Sequence, residues 1–293
     1  MVQPYNRTEE DLGNIVALEH INVQIPDQVV STVFYVTGLG LTRDPYLMTG
    51  TDNMWINVGR SQFHLPTGKP QMLRGHVGIV MPDRAALLGR LAKVERHLGG
   101  TQFGYRACND HVEVMSPWGN RLRCYEPDPS RFGRITLGMP YVEFEVPIGA
   151  ADGVVRFYRQ ALAASARIQE NGHGRAARVA VGVDQEFVFR ETEGVLLPYD
   201  GHHVQIYIAD FSGPHRWLLQ RGLVFEESDQ HQYRFKDIVD PQDGSVLFTI
   251  EHEVRSMRHP LYARPLVNRN PSQTNLNYAP GHDAWIWGMP HQS

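Results

Sequence analysis

One short phrase recurs four times in this chain, and the repeat constrains the fold more than any other feature. The clearest copy, Gly75–Asp83, places His76 at the start of an alternating apolar run and closes with Pro-Asp. Alternation with a period of two predicts a half-buried strand, and Pro-Asp before an Ala- and Leu-rich segment predicts a turn into a helix. The copies begin at residues 20, 76, 141 and 203, so they are 56, 65 and 62 residues apart. A repeat of this length indicates four copies of one structural unit.

Each unit is predicted to contain a strand, a helix and three further strands. In the first unit, the strand from His20 leads to a helix over 28–36, which the glycines of Gly38–Leu41 end. Asn53–Val58 and Arg60–Leu65 then predict two strands around a turn at Gly59. The same order recurs in the other three units, so we predict an α+β protein built from four βαβββ modules.

The modules are expected to pair into two domains. The segment Asp128–Gly138, with prolines and arginines nearby, is the predicted linker. The first domain then covers residues 15–128 and the second covers 136–254, with two modules in each. Periodicity fades after residue 255, so 255–293 is predicted to be an irregular tail that wraps over the body.

Composition excludes several functional classes. The 293 residues are 42% hydrophobic, enough for a sizeable core, and the net charge of -4 offers no basic surface to nucleic acid or anionic lipid. No apolar run is long enough to span a bilayer, and two cysteines are too few for a disulfide framework. We therefore expect a soluble cytoplasmic homo-oligomer that acts on a small-molecule substrate, with no nucleic-acid or membrane partner.

The repeated unit resembles the vicinal oxygen chelate superfamily, which includes glyoxalase I, the fosfomycin and bleomycin resistance proteins and the type I extradiol ring-cleaving dioxygenases. The resemblance covers about residues 17–254 and is carried by the Gly75–Asp83 phrase, by Phe34-Tyr35 with the following Gly38–Leu41, and by the 240–244 turn before the last strand. Four units in one chain are most similar to the two-domain dioxygenases. The resemblance implies that paired units form a cupped sheet around a divalent metal, with ligands from the first and last strand of each unit.

If the first unit pairs with the second, the metal site is His20, His64 and His76. Strand alternation turns His20 and His76 away from the apolar face of their strands, and His64 lies opposite Phe63 on its own strand. Three neutral imidazoles suit iron(II), zinc, manganese or nickel, and the dioxygenase resemblance favours iron. Where the family usually has a glutamate, four residues after the turn glycine, this chain has Arg123.

The third and fourth units give an alternative metal site, His203 with Glu251. By the family pattern the first histidine of that triad should stand where Tyr141 is, and Glu251 comes late after its turn. Arg123, Tyr125 and Tyr141 are instead predicted to bind substrate, because an arginine fork suits an anion. No catalytic residue is identified.

Two functions from different classes follow. The first is a metal-dependent oxidoreductase, an extradiol-type ring-cleaving dioxygenase, or a related lyase or isomerase, that acts on a small oxygenated aromatic substrate. The alternative is a metal-free protein of the same fold that binds a small molecule, as resistance proteins do.

Overall fold

The computed structural model describes residues 5–47 and 52–268 of the chain. These residues contain sixteen strands and five α-helices. The first two modules comprise β1 (Ile15–Asn22), α1 (Gln28–Ser31), a π-helical turn (Thr32–Gly38), β2 (Thr42–Arg43), β3 (Asn53–Val58), β4 (Ser61–Pro66), β5 (Gly75–Val80), α2 (Arg84–Val94), β6 (Gly104–Ala107), β7 (Val112–Met115) and β8 (Arg121–Tyr125). After the linking helix α3 (Pro129–Phe132), the other two comprise β9 (Gly138–Pro147), α4 (Ala151–Leu162), β10 (Ala166–Asn171), β11 (Gly174–Gly182), β12 (Gln185–Thr192), β13 (His203–Ile208), α5 (Ser212–Leu219), β14 (Val224–Asp229), β15 (Gln232–Val239) and β16 (Val246–Ser256). Short 3-10 turns lie at Arg7–Glu10 and Glu95–His97.

The four modules have the same internal strand order. In each one the first strand lies beside the last, followed by the third and then the second, as in β1-β4-β3-β2. The first and last strands are parallel, and the others are antiparallel. The prediction of an α+β protein built from four βαβββ modules is therefore confirmed.

The modules pair differently from the expectation. One sheet has the order β14-β15-β16-β13-β1-β4-β3-β2 and joins the fourth module to the first. The other has the order β10-β11-β12-β9-β5-β8-β7-β6 and joins the third to the second. The expected pairing of first with second and third with fourth is wrong, because β1 pairs antiparallel with β13 and β5 with β9. Whether residues 15–128 and 136–254 also behave as separate units stays a prediction.

Local signals position the helices as the sequence indicates. The Pro-Asp turns begin helices because the carboxylates of Asp27 and Asp83 accept hydrogen bonds from backbone N–H groups of the first turn. The sequence did not identify β10 and β14, which lie at the outer edges of the two sheets. Both strands are largely polar and exposed, so they lack the alternation that marks a half-buried strand.

One continuous apolar core joins the two sheets. The repeated Phe-Tyr pairs, Phe34-Tyr35 and Phe157-Tyr158, are at most 1% exposed and anchor the helical segment of their modules in it. Burying each ring contributes about 1.5–3 kcal/mol. The two sheets are therefore held as one body by side chains from all four modules.

After β16 the chain runs without regular structure across the sheet of the first and fourth modules. The Tyr262 ring lies 4.9 Å from that of Tyr207, and Arg264 pairs with Asp44 at 2.5 Å. Residues 269–293 of the predicted tail lie outside the described residues. None of the described helices has the length and apolar character that crossing a membrane requires.

Candidate metal centre

Three histidines converge inside the cup formed by the first and fourth modules. His20 on β1, His64 on β4 and His203 on β13 have ligand nitrogens that all lie within 4.8 Å of one another. The strand register accounts for this. Asn22 pairs with His203 across β1 and β13 and with His64 across β1 and β4, so each histidine projects from a neighbouring strand of one sheet.

A break in the strand pairing helps to orient His20. The β1–β13 register shifts between Leu18 and His20, which leaves Glu19 unpaired at a bulge. The Glu19 carboxylate consequently reaches the His20 ring, with Oε2 2.6 Å from Nδ1. With its Nδ1 held in this way, the fully buried His20 keeps an Nε2 that has no hydrogen-bond partner among the described residues.

The three imidazoles all have a buried Nε2. Those of His20 and His64 have no hydrogen-bond partner among the described residues, and that of His203 faces the Glu253 carboxylate at 3.5 Å. The Nδ1 atoms are supported instead: that of His64 lies 2.6 Å from the Asn22 side-chain amide, and that of His203 lies 3.5 Å from Glu251 Oε1. Buried polar atoms are rarely left unpaired, and ligand histidines have their second nitrogen held from behind. The cluster therefore fits a metal ion.

Glu253 on β16 supplies a carboxylate to the same cup. It is 2% exposed, and its Oε2 lies 3.5 Å from His203 Nε2. It pairs with Gln205 of β13, just as His64 pairs with Asn22 of β1, so Glu253 holds in the fourth module the position of His64 in the first. His20 and His203 are related in the same way. The four donors thus come from the first and last strand of each module.

Charges around the cup set the ionisation state that a metal requires. Burial alone would raise the pKa of Glu253. The hydrogen bond with His203 and the positive charges of Arg255 and Arg234 outweigh burial, so the Glu253 pKa falls below its usual range. Burial, reinforced by the neighbouring histidines, lowers the pKa of His64 to about 2.

Burial also lowers the pKa of His203, against the raising effect of Glu253. An ionised carboxylate and neutral imidazoles are the forms that bind metal. A nitrogen-rich set with one carboxylate suits iron(II), manganese, nickel or zinc.

The predicted site is therefore divided between the two sheets. His20 and His64 do converge, but their predicted partner His76 lies on β5 in the other sheet, so that grouping is wrong. His203, from the alternative site, takes its place. Glu251, predicted with His203, contacts Nδ1 of that ring and not the Nε2 that faces the cluster.

The cup of the second and third modules has lost the equivalent donors. By the strand register, His76 and Tyr141 occupy the positions of His20 and His203. Arg123 and Val188 occupy those of His64 and Glu253. Only one of these four side chains is a common metal ligand, so these four positions do not form a second metal site equivalent to the first.

The residues predicted to bind substrate meet in this second cup. The hydroxyl of Tyr141 lies 3.1 Å from His76 Nε2 and 2.8 Å from the hydroxyl of Tyr125. Arg123 projects from the same strand as Tyr125 and is partly buried. The three predicted residues are thus brought together, but away from His20 and His64.

Sequence reasoning missed Glu253. The predicted last strand ends at Glu251, whereas β16 continues to Ser256. The alternation of Thr249, Glu251 and Glu253 on one face would have identified the residue had the strand been extended.

No protein-family model and no curated protein matches this sequence. Solved structures do match its fold. Glyoxalase I from Zea mays is 14% identical, with a TM-score of 0.56 over 82% of this chain and 92% of its own. A dioxygenase candidate from Bacillus subtilis is 13% identical, with a TM-score of 0.53 over 83% of this chain and 86% of its own. The chain therefore has the fold of the vicinal oxygen chelate superfamily.

Proposed function

We propose that this protein is a metal-dependent enzyme of the vicinal oxygen chelate type, with His20, His64, His203 and Glu253 as its ligands. The observation that supports this is the cluster of three buried histidines beside a buried carboxylate, in which the Nε2 atoms of His20 and His64 have no partner among the described residues. A divalent ion held there would act as a Lewis acid on two neighbouring oxygens of a small substrate.

The number of protein ligands decides between the two reactions that the resemblance implies. If the ion takes about six ligands, these four residues would leave two positions, which a substrate with two vicinal oxygens would fill. Oxygen-dependent ring cleavage needs a further open position, as in sites with two histidines and one carboxylate. The complete set of four therefore favours an isomerase or lyase.

Ring cleavage is the second candidate, and the two ion pairs of Glu253 support it. Arg234 and Arg255 hold the Glu253 carboxylate at 2.5 and 2.6 Å. If these ion pairs keep Glu253 from the metal, the three histidines leave three positions open, which is enough for a chelating substrate and oxygen. Glu253 is thus the residue on which the choice of reaction depends.

Other side chains shape the space around the centre. The Trp55 ring stacks on His64 with centroids 3.8 Å apart and meets His20 edge-on at 4.9 Å. Trp55 therefore closes one side of the cup and excludes water from both rings. Arg234 bridges Glu251 and Glu253 and fixes the strand that carries both carboxylates.

The first experiment measures metal content. Protein purified without added metal is analysed by inductively coupled plasma mass spectrometry. We expect about one equivalent of a divalent transition metal per chain. His64→Gln should abolish binding, whereas His76→Gln, the matched control from the second cup, should keep it. No metal in the unaltered protein after incubation with iron(II), manganese, nickel and zinc would favour the metal-free binding protein.

The second experiment separates the reactions. Metal-loaded protein is incubated with α-hydroxyketones in deuterium oxide, and exchange at the carbon beside the carbonyl is followed by NMR. Oxygen uptake is measured with a panel of catechols. We expect exchange without oxygen uptake; uptake with yellow ring-fission products would support the dioxygenase instead. The remaining expectations, a homo-oligomer in the cytoplasm, are tested by light scattering and cell fractionation.

A further inference from the structure

The second cup contains a cavity that the proposed metal chemistry does not use. Its volume is about 400 Å³, a size that suits a small organic molecule. Arg106, Arg121 and Arg123 provide positive charge in its lining, Glu113 provides negative charge, and Met115 provides an apolar side chain. The cavity therefore combines a mainly cationic surface with an exposed apolar side chain.

Arg123 is the unmatched charge of this cavity. Its neighbours are paired: Arg121 with Glu145 at 2.6 Å, Arg106 with Glu113 at 2.5 Å, and Arg190 with Glu143 at 3.0 Å. Arg123 forms no ion pair in residues 5–47 and 52–268; its polar neighbours are the Tyr141 and Tyr125 hydroxyls and the Glu143 carboxylate, which is already paired with Arg190. One positive charge therefore remains available to a ligand.

His76 does not supply a second charge. Burial and then the charges of Arg123, Arg121, Arg190 and His111 lower its pKa to about 3. The ring is consequently neutral near pH 7, and its Nε2 lies against the Tyr141 hydroxyl at 3.1 Å. The neutral pair of His76 and Tyr141 can hydrogen-bond to a ligand without repelling it or neutralising the charge of Arg123.

Tyr141 is held in this position by packing as well as by hydrogen bonds. Its ring lies across Gly78, its partner in the β5–β9 register, where a β-carbon would come within 2.3 Å of the ring. The Tyr141 hydroxyl also meets that of Tyr125 at 2.8 Å. The polar end of the cavity is thus preorganised.

We propose that the second cup is a binding site for a small monocarboxylate with an apolar body. The carboxylate would meet the planar fork of Arg123 through two parallel hydrogen bonds, and the apolar body would lie against the exposed Met115 side chain. A single free positive charge matches a monoanion better than a doubly charged phosphate. The site is separate from the metal centre, since the position of His64 is taken here by Arg123.

Benzoate is the probe, with neutral benzamide as its matched analogue and acetate as the anion without an apolar body. Isothermal titration of the full chain, after treatment with a chelator, should show saturable one-to-one binding of benzoate and much weaker binding of the other two. Arg123→Gln should weaken benzoate by at least about tenfold, because the charge-assisted bonds are lost. Arg123→Lys, which keeps the charge but not the fork, should give an intermediate affinity.

Two controls keep the test decisive. Arg175→Gln removes an exposed arginine that is paired with Asp152 and should leave benzoate affinity unchanged. His64→Gln should also leave it unchanged, whatever happens to metal binding. The proposal is overturned by equal affinity for benzoate and benzamide, by no measurable benzoate binding, or by an Arg123→Gln variant that folds and binds normally. Loss of benzoate in His64→Gln would instead assign the ligand to the metal centre.

Discussion

Replacing Glu253 by glutamine tests how the metal cup is built, because this carboxylate balances two arginines in the interior. Glu253 is 2% exposed and contacts Arg234 at 2.5 Å and Arg255 at 2.6 Å. Removing one partner of a buried ion pair usually costs about 3–5 kcal/mol. Arg234 keeps Glu251 at 2.6 Å and Arg255 keeps Glu19 at 3.4 Å. We therefore expect the free energy of unfolding to fall by about 3 kcal/mol, the lower end of that range.

Glu251→Gln is the matched control for this loss. The Glu251 side chain is 15% exposed, and its partner Arg234 would retain Glu253. The cost should be about 1 kcal/mol, close to that of an ordinary ion pair near the surface. The difference of about 2 kcal/mol corresponds to a gap of about 4 °C between the melting temperatures of the two variants.

Urea unfolding in the presence of a chelator measures both variants without any contribution from bound metal. Titration of divalent metal into the folded variants then separates stability from ligation: Glu253→Gln should bind more weakly and Glu251→Gln nearly as well as the unaltered protein. A stability loss in Glu253→Gln no larger than that in Glu251→Gln would refute the reasoning, because Glu253 would then not be the carboxylate that balances the buried arginines.

Three further changes probe the second cup and the tail. Because the pKa of His76 is lowered to about 3, the unfolded chain binds a proton below about pH 6.5 that the folded chain does not, so stability falls as pH falls from 6.5 toward 3. In urea unfolding between pH 7.5 and 4.5, His76→Gln should remove up to about 1.4 kcal/mol per pH unit of that slope. Gly78→Ala should lower stability by about 1–3 kcal/mol in thermal unfolding because its β-carbon meets the Tyr141 ring, whereas Gly89→Ala, in open space on α2, should not. Arg264→Gln should expose residues 257–268 to limited proteolysis, because it breaks the ion pair with Asp44; an unchanged cleavage pattern would show that other contacts hold the tail.

The elements of the fold were predictable because their signals are local. Alternation in the Gly75–Asp83 phrase, the Asp27 and Asp83 caps and the buried Phe-Tyr pairs each act within a few residues. Which modules pair with each other is not determined by local signals. Any of the four first strands presents a similar apolar pattern, so local periodicity does not encode which pairs meet.

The metal site was likewise predictable only where it depends on local strand alternation. Strand alternation turned His20 and His64 to the correct face, but their third partner depended on module pairing. One signal was available: three histidines and Glu253 fill the four donor positions of the first and fourth modules, whereas the second and third carry His76 with Arg123, Tyr141 and Val188 at the equivalent positions. A shared function of the outer modules would have been inferred from that distribution of donors.

The pairing of the outermost modules also sets the order in which a newly synthesised chain can fold. The sheet of the second and third modules has all its strands once residue 192 has been made, whereas β1 must wait for β13, which ends at residue 208, and its sheet is complete only when β16 ends at residue 256. During that interval the edge of β1 has no strand on one side, and an open edge invites pairing with another chain. The histidines of the first module acquire His203 only after the sheet of the second and third modules has all its strands. A ribosome-bound fragment that ends between residues 192 and 203 would therefore contain every strand of the second cup, but only the first-module strands of the metal cup.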